Sequence, residues 1–324
     1  MHIKKNNYNI YITSLLFLFG VYIAYTRGSN FSDADSFSVI KTFLLLLDGE
    51  GYNPSRNAYG HPIPEFLIGI MSYNLGTRVT NIFCFLLFFL SIIIFYSTFL
   101  KKIKNVHLFI LLIISNSYLL LDNTNSIDYP IALFFLSVGF YFLKNQKNLL
   151  SYVFFGMTIA CRPNFLTFIY PAIVIFFFHE IKEKKFKNFF VASLVTTIIG
   201  LLFFIPLFDL HNYSLNFLEI PFLMDKNDSI RWYGGPKMEF SSLFPRFVYK
   251  IYLIIGVFSS FLFLLFFKNI IKKIKFTEID NIIFIFIIFI NIFVFYFSPT
   301  KILLINPFII FSYILIFKYL DKKK

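Results

Sequence analysis

Long apolar runs, one after another, constrain this chain more than any other feature. Residues near 8–26, 78–100, 106–121, 128–143, 149–161, 164–178, 189–208, 246–268, 279–297 and 302–320 carry few groups that need water. About 20 such residues in a helix cross the roughly 30 Å hydrocarbon core of a bilayer, and shorter runs sit inside bundles or along the interface. With 58% of 324 residues hydrophobic and a mean hydropathy of +0.72, the chain holds more apolar surface than a water-soluble core needs. The expected fold is all-α: a polytopic transmembrane helix bundle of about ten spans, forming a single domain over 1–324. Within it, 1–208 form a core module, 209–245 an outer loop and 246–324 the last spans.

Residues 63–75 are also apolar but short, and lysines decide how they lie. If this stretch does not cross, Lys4/Lys5, Lys101/Lys102/Lys104, Lys144/Lys147, Lys182/Lys184/Lys185/Lys187, Lys268/Lys272/Lys273/Lys275 and Lys318/Lys322/Lys323/Lys324 share one side. That satisfies the positive-inside rule at every connection, with both termini cytoplasmic. The formal charge of +13 then reflects lysines flanking spans, and no nucleic-acid partner is expected. Lys4 and Lys5 resemble the start of a signal peptide. No small-residue cleavage site stands near Tyr25 and the run is long, so an uncleaved first span is expected. Cys84 and Cys161 lie inside apolar runs and imply no disulfide framework.

This topology puts Arg27, Arg56, Arg78, Arg162, Arg231 and Arg246 at the outer side, together with most of the acids. Lysine suffices as a stop-transfer charge, whereas the planar guanidinium fork suits phosphate. The distribution reads either as an outward site for a phosphorylated ligand or as small-number chance. The residues of such a site begin in the first outer loop with Asp33-Ala-Asp35, which either caps a helix from Ser36 onward or supplies a general base. The same spacing also suits a divalent metal held by oxygen ligands. In Tyr59-Gly-His61-Pro-Ile-Pro-Glu65, His61 is either an interfacial histidine or a donor to a sugar or phosphate. Glu65 complements the positive end of the helix it begins. Asp128, just before Tyr129-Pro130, reads as a helix cap without outside support. Arg162 is different: it sits between two short apolar segments, where an unpaired guanidinium costs at least a few kcal/mol. Pro163 breaks the helix beside it, as a cavity wall permits. Lys301 either binds an anion or snorkels. No histidine, cysteine and glutamate set has zinc spacing, and no phosphate loop or dinucleotide fingerprint is present.

In order and spacing these stretches resemble the GT-C superfamily, the mannosyltransferase-like polytopic enzymes that take sugars from polyprenyl-phosphate donors. The matching stretches are Asp33-Ala-Asp35-Ser-Phe37, Gly-Tyr-Asn-Pro at 51–54, His61-Pro-Ile-Pro, Asp128-Tyr-Pro, Gly156 with Arg162-Pro, Pro299-Thr-Lys301 and Asn306-Pro307. The resemblance implies a GT-C-like core over 1–208, whose long first outer loop carries interfacial helices. It also implies inverting transfer to a lipid, glycan or protein acceptor on the outer face of a membrane such as the bacterial inner membrane. Asp33 or Asp35 is then the general base. Arg56, His61, Asp128, Arg162 and Lys301 bind the donor, and Arg231 and Trp232 the acceptor. Two departures stand out: Ala34 interrupts the usual acidic pair, and no soluble carboxy-terminal domain follows the last span. A carrier or flippase for a lipid-linked saccharide, or a non-catalytic polysaccharide-assembly subunit, would share the charged outer face. A carrier calls for polar residues through the middle of several spans.

Overall fold

The computed structural model describes residues 3–28, 34–53, 61–101, 106–182, 186–205, 244–245, 247–249, 278–297 and 306–320. Every regular element among them is helical. In chain order these are α1 (Ile3–Arg27), α2 (Ala34–Leu47), α3 (Pro62–Phe99), α4 (Val106–Ile114), α5 (Ser117–Asn123), α6 (Asp128–Lys144), α7 (Asn148–Cys161), a 3-10 turn (Pro163–Phe165), α8 (Leu166–Lys182), α9 (Phe186–Leu202), α10 (Ile279–Phe297) and α11 (Asn306–Leu320). Ile10–Arg27 of α1 and the whole of α3 are long and apolar enough to cross a membrane. Helices α4 and α5 make a third such stretch if the pair counts as one span.

Two boundaries differ from the apolar runs, each for a local reason. The run 106–121 is not one helix: it bends by 79° between α4 and α5. Asn116 causes the restart, because its side chain accepts from Leu119 N–H at 3.1 Å and caps α5. Helix α3 joins the short stretch 63–75 to the run 78–100, but Gly76 interrupts it with φ 82° and ψ 162°. That backbone lies in a region L side chains rarely adopt, while the space beside Gly76 is open. Conformation, not crowding, requires the glycine.

Helix α6 lies between α3 and α7, and its phenylalanines form the centre. Phe140 packs edge-on against Phe155, Phe99 and Phe311 at centroid separations of 5.3–5.9 Å. Phe284 of α10 joins Phe99 at 4.8 Å. In hydrocarbon such burial gains little, because lipid tails are as apolar as the core, so helix association depends on close fit. Glycines provide it. A methyl on Gly139 would meet the Phe155 ring at 2.6 Å, and one on Gly156 would meet Ile199 of α9 at 2.7 Å. Helix α2 packs on the first part of α3 in the same way, with Phe43 seated against Gly69.

The two ends of α6 differ in their charges. Near its start, Arg27 donates to the Leu121 carbonyl at 2.5 Å, and Arg78 donates to Tyr25 Oη at 3.0 Å. Near its end, Lys144 donates to both carboxylate oxygens of Asp280 at 2.6 Å, and Lys318 of α11 pairs with Glu278 at 2.8 Å. Arginines thus gather at one end of the helix and paired lysines at the other.

Candidate functional site

Three breaks in the helices bring the site together. Pro163 disfavours helical backbone at the residue before it, so α7 stops at Cys161 and Arg162 is extended, at φ −154° and ψ 98°. Its N–H still closes the last turn on the Thr158 carbonyl at 2.8 Å. The Arg162 side chain therefore departs from a fixed point at a helix end. Helix α6 starts with Asp128 and Tyr129, and its N-cap is Ile127, which offers no side-chain cap. The capping reading of Asp128 is thereby corrected: its carboxylate is engaged elsewhere. His61 occupies the N-cap position of α3, yet its imidazole makes no capping bond; Pro62 follows it at the first helical position.

These side chains meet in a buried cluster. Arg162 Nη1 donates to Asp128 Oδ2 at 2.5 Å and stands 3.3 Å from His61 Nε2. Arg162 Nη2 donates to the Tyr129 hydroxyl, and the guanidinium carbon lies 4.2 Å from the centre of the Tyr129 ring. His61 Nε2 is 3.9 Å from Asp128 Oδ2. Asp128 is fully buried, and His61 and Arg162 are each 5% exposed. A guanidinium carries five N–H donors. Among the described residues Nη1 and Nη2 have partners, whereas Nε is buried with none. A buried donor left unmade costs about 1–3 kcal/mol, more on a charged group. An oxyanion at the Nε edge would satisfy it.

A second acid lies one turn into α3. Glu65 is buried and accepts a hydrogen bond from the Tyr52 hydroxyl, while its own N–H donates to the His61 carbonyl at 3.0 Å. Burial first, and then the Glu65 carboxylate, push the Tyr52 phenol well above its usual range. Glu65 is thus more than a complement to a helix end. Nearby, Ser126 donates to Asn81 Oδ1, and Thr77 donates to the Gly28 carbonyl, which ties α1 to α3 just past Gly76.

No family model, curated protein or solved structure matches the chain.

The sequence-predicted residues divide into three groups. His61, Asp128 and Arg162 are brought together from three separate segments. Asp35 lies in the first turn of α2, and its side chain is not among those described. Asp33, Arg56, Arg231, Trp232 and Lys301 lie outside the described residues, as does nearly all of 209–245 and 246–268. Sequence reasoning missed Tyr129, Tyr52 and Glu65 as partners. Tyr129 adjoins Asp128 and Tyr52 falls in the Gly-Tyr-Asn-Pro stretch, so each stood beside a residue or motif already singled out. Among the described residues no group of three or more His, Cys, Asp or Glu is arranged to hold a metal ion. At Asp128 the guanidinium takes the place a cation would need. The divalent metal expected at Asp33 and Asp35 concerns side chains outside the described residues. Both cysteines are free and buried.

Proposed function

We propose that this chain is a membrane glycosyltransferase. It moves a sugar from a polyprenyl-phosphate donor to a hydroxyl of a lipid, glycan or protein acceptor, with inversion, on the outer face of a bundle of about ten spans. The observation that carries the reading is the buried guanidinium of Arg162, held by Asp128 and Tyr129 with Nε unsatisfied. Holding a cation in so dry a place is costly, and a lipid-linked phosphate is a ligand that reaches it from the bilayer and uses its free donor.

In the reaction the acceptor oxygen attacks the anomeric carbon from the face opposite the phosphate. The new C–O bond forms as the bond to the phosphate oxygen breaks, and the lipid phosphate leaves with the electron pair. Asp33 or Asp35 accepts the acceptor's proton, while Arg162, with Arg56 or Lys301, stabilises the charge on the leaving group. Carrier function is less well supported. A carrier needs polar groups along its path, yet Ser91, Ser137 and Thr158 donate to carbonyls of their own helices.

The test is transfer from a polyprenyl-phosphoryl sugar by the full chain in nanodiscs, with Asp33→Asn and Asp35→Asn assayed singly. Loss of the base should lower turnover about 10²-fold or more in one variant. Full activity in both would overturn the assignment of the base.

A further inference from the structure

We infer that the link between α5 and α6 reads the donor's sugar, with Asn123 Oδ1 accepting a hydrogen bond from a ring hydroxyl. The inference rests on the phosphate reading above and adds the half of the ligand that a lipid phosphate alone lacks. Residues 123–126, Asn-Thr-Asn-Ser, are four polar side chains in a row, and each is at most 6% exposed. They join the bent pair α4 and α5 to the start of α6. At membrane depth, backbone that leaves a helix is tolerated where protein covers it or where it lines a water-filled cavity. Here it leads directly to Asp128 and Tyr129, the two residues that hold Arg162.

The link is held from two sides. Arg27 of α1 donates to the Thr124 hydroxyl at 3.3 Å, and Ser126 donates to Asn81 Oδ1 of α3. Thr124 in turn donates to the Leu120 carbonyl at 2.9 Å, and Ile127 N–H closes back on the Asn125 carbonyl at 2.9 Å. Asn123 differs from these. Its Nδ2 donates to the Leu119 carbonyl at 2.8 Å, and because a carbonyl only accepts, that bond fixes which end of the amide faces the helix. Oδ1 is directed elsewhere, fully buried, with no hydrogen-bond partner among the described residues.

Two unmet polar atoms thus flank the start of α6, and they are opposites. Arg162 Nε has a hydrogen and lacks an acceptor, whereas Asn123 Oδ1 has lone pairs and lacks a donor. Asn123 stands five positions before Asp128, so the chain separates the two by at most about 18 Å. The turn closed by Ile127 shortens that span. A bare lipid phosphate satisfies only the guanidinium. A phosphodiester that carries a sugar satisfies both, one oxygen accepting from Nε and one hydroxyl donating to Oδ1. Leaving either buried group unmet is costly, so the pair favours the glycosylated ligand over the plain lipid phosphate. Asn123 takes no part in bond making; it determines specificity.

The experiment is calorimetric titration of the full-length protein in nanodiscs with farnesyl methyl phosphate and with the farnesyl phosphodiesters of mannose, glucose and galactose. Wild type should bind at least one sugar diester about 3- to 10-fold more tightly than farnesyl methyl phosphate, as one hydrogen bond between neutral groups allows. Among the monodeoxy versions of that diester, one should lose the gain. Asn123→Leu keeps the approximate shape without the acceptor, so it should bind the parent and that deoxy diester alike. A purely structural role would weaken both and preserve their ratio. No preference by wild type for any sugar diester over farnesyl methyl phosphate overturns the inference and leaves the phosphate reading standing. A deoxy discrimination that persists in Asn123→Leu overturns it equally. Asn123→Ala reads the same ratio if the leucine variant does not fold, and wild type that binds every monodeoxy diester as tightly as the parent rejects the inference without either. Wild type that binds farnesol as tightly as farnesyl methyl phosphate rejects the phosphate reading, and the inference with it.

Discussion

The two ends of α6 hold the same kind of interaction in different surroundings. At the start, Arg162 and Asp128 have side chains 6% and 0% exposed; at the end, Lys144 and Asp280 are 44% and 18% exposed. The helix separates them by about 24 Å at 1.5 Å per residue. Both pairs are short, yet they differ in what each partner becomes alone. Lys144 released from Asp280 returns to solvent or a headgroup. Arg162 released from Asp128 stays buried as an unpaired cation. Charge geometry alone does not distinguish a clamp from a site; burial and unsatisfied donors do.

The largest effect should follow from breaking the buried pair on one side only. Asp128→Asn is expected to lower stability by about 3–5 kcal/mol, read as thermal unfolding in nanodiscs. Removing both charges with Asp128→Leu and Arg162→Met should restore most of that stability while abolishing binding of a polyprenyl phosphate. A double variant as unstable as Asp128→Asn would show that the cluster is structural. Next in size is Tyr52→Phe, which strips Glu65 of a donor and should cost about 1–3 kcal/mol near neutral pH. Its pH dependence has a definite sign. The Tyr52 phenol is raised in the fold above its ordinary value of 10.0, so its contribution is complete below about pH 10 and declines as pH rises beyond that. The stability gap between wild type and Tyr52→Phe should therefore narrow above about pH 10. A constant gap would remove Tyr52 from the buried network. Smallest is Lys144→Met, expected to cost less than about 1 kcal/mol and to vanish in high salt. A larger, salt-independent loss would make the two ends of α6 alike.

Much of the helical framework was legible because the environment of a residue type is a local matter. Apolar runs, Pro163 and Pro62 mark helices and breaks without any tertiary knowledge. The bend at Asn116 was not, since a single capping side chain outweighed an otherwise uninterrupted apolar stretch. For the site, the cost of burying a guanidinium singled out Arg162 and demanded a partner, but no local rule names Asp128, 34 positions away, as that partner. Tyr129 and Glu65 were harder still. Glu65 has a sufficient local explanation as a helix-end charge, Tyr129 drew no reading of its own, and only the convergence of three segments gives them a further role.

The glycine at 76 has a geometric consequence for the imidazole at the far tip of its helix. The arm from Gly76 back to His61 is 15 residues, or about 22 Å, so swinging it by 10° at this pivot would carry the ring some ~4 Å. That travel exceeds the 3.3 Å between His61 and Arg162. A residue that touches nothing in the cluster thus sets its gearing, and a stiffer backbone there would be felt first as lost reach at the ring.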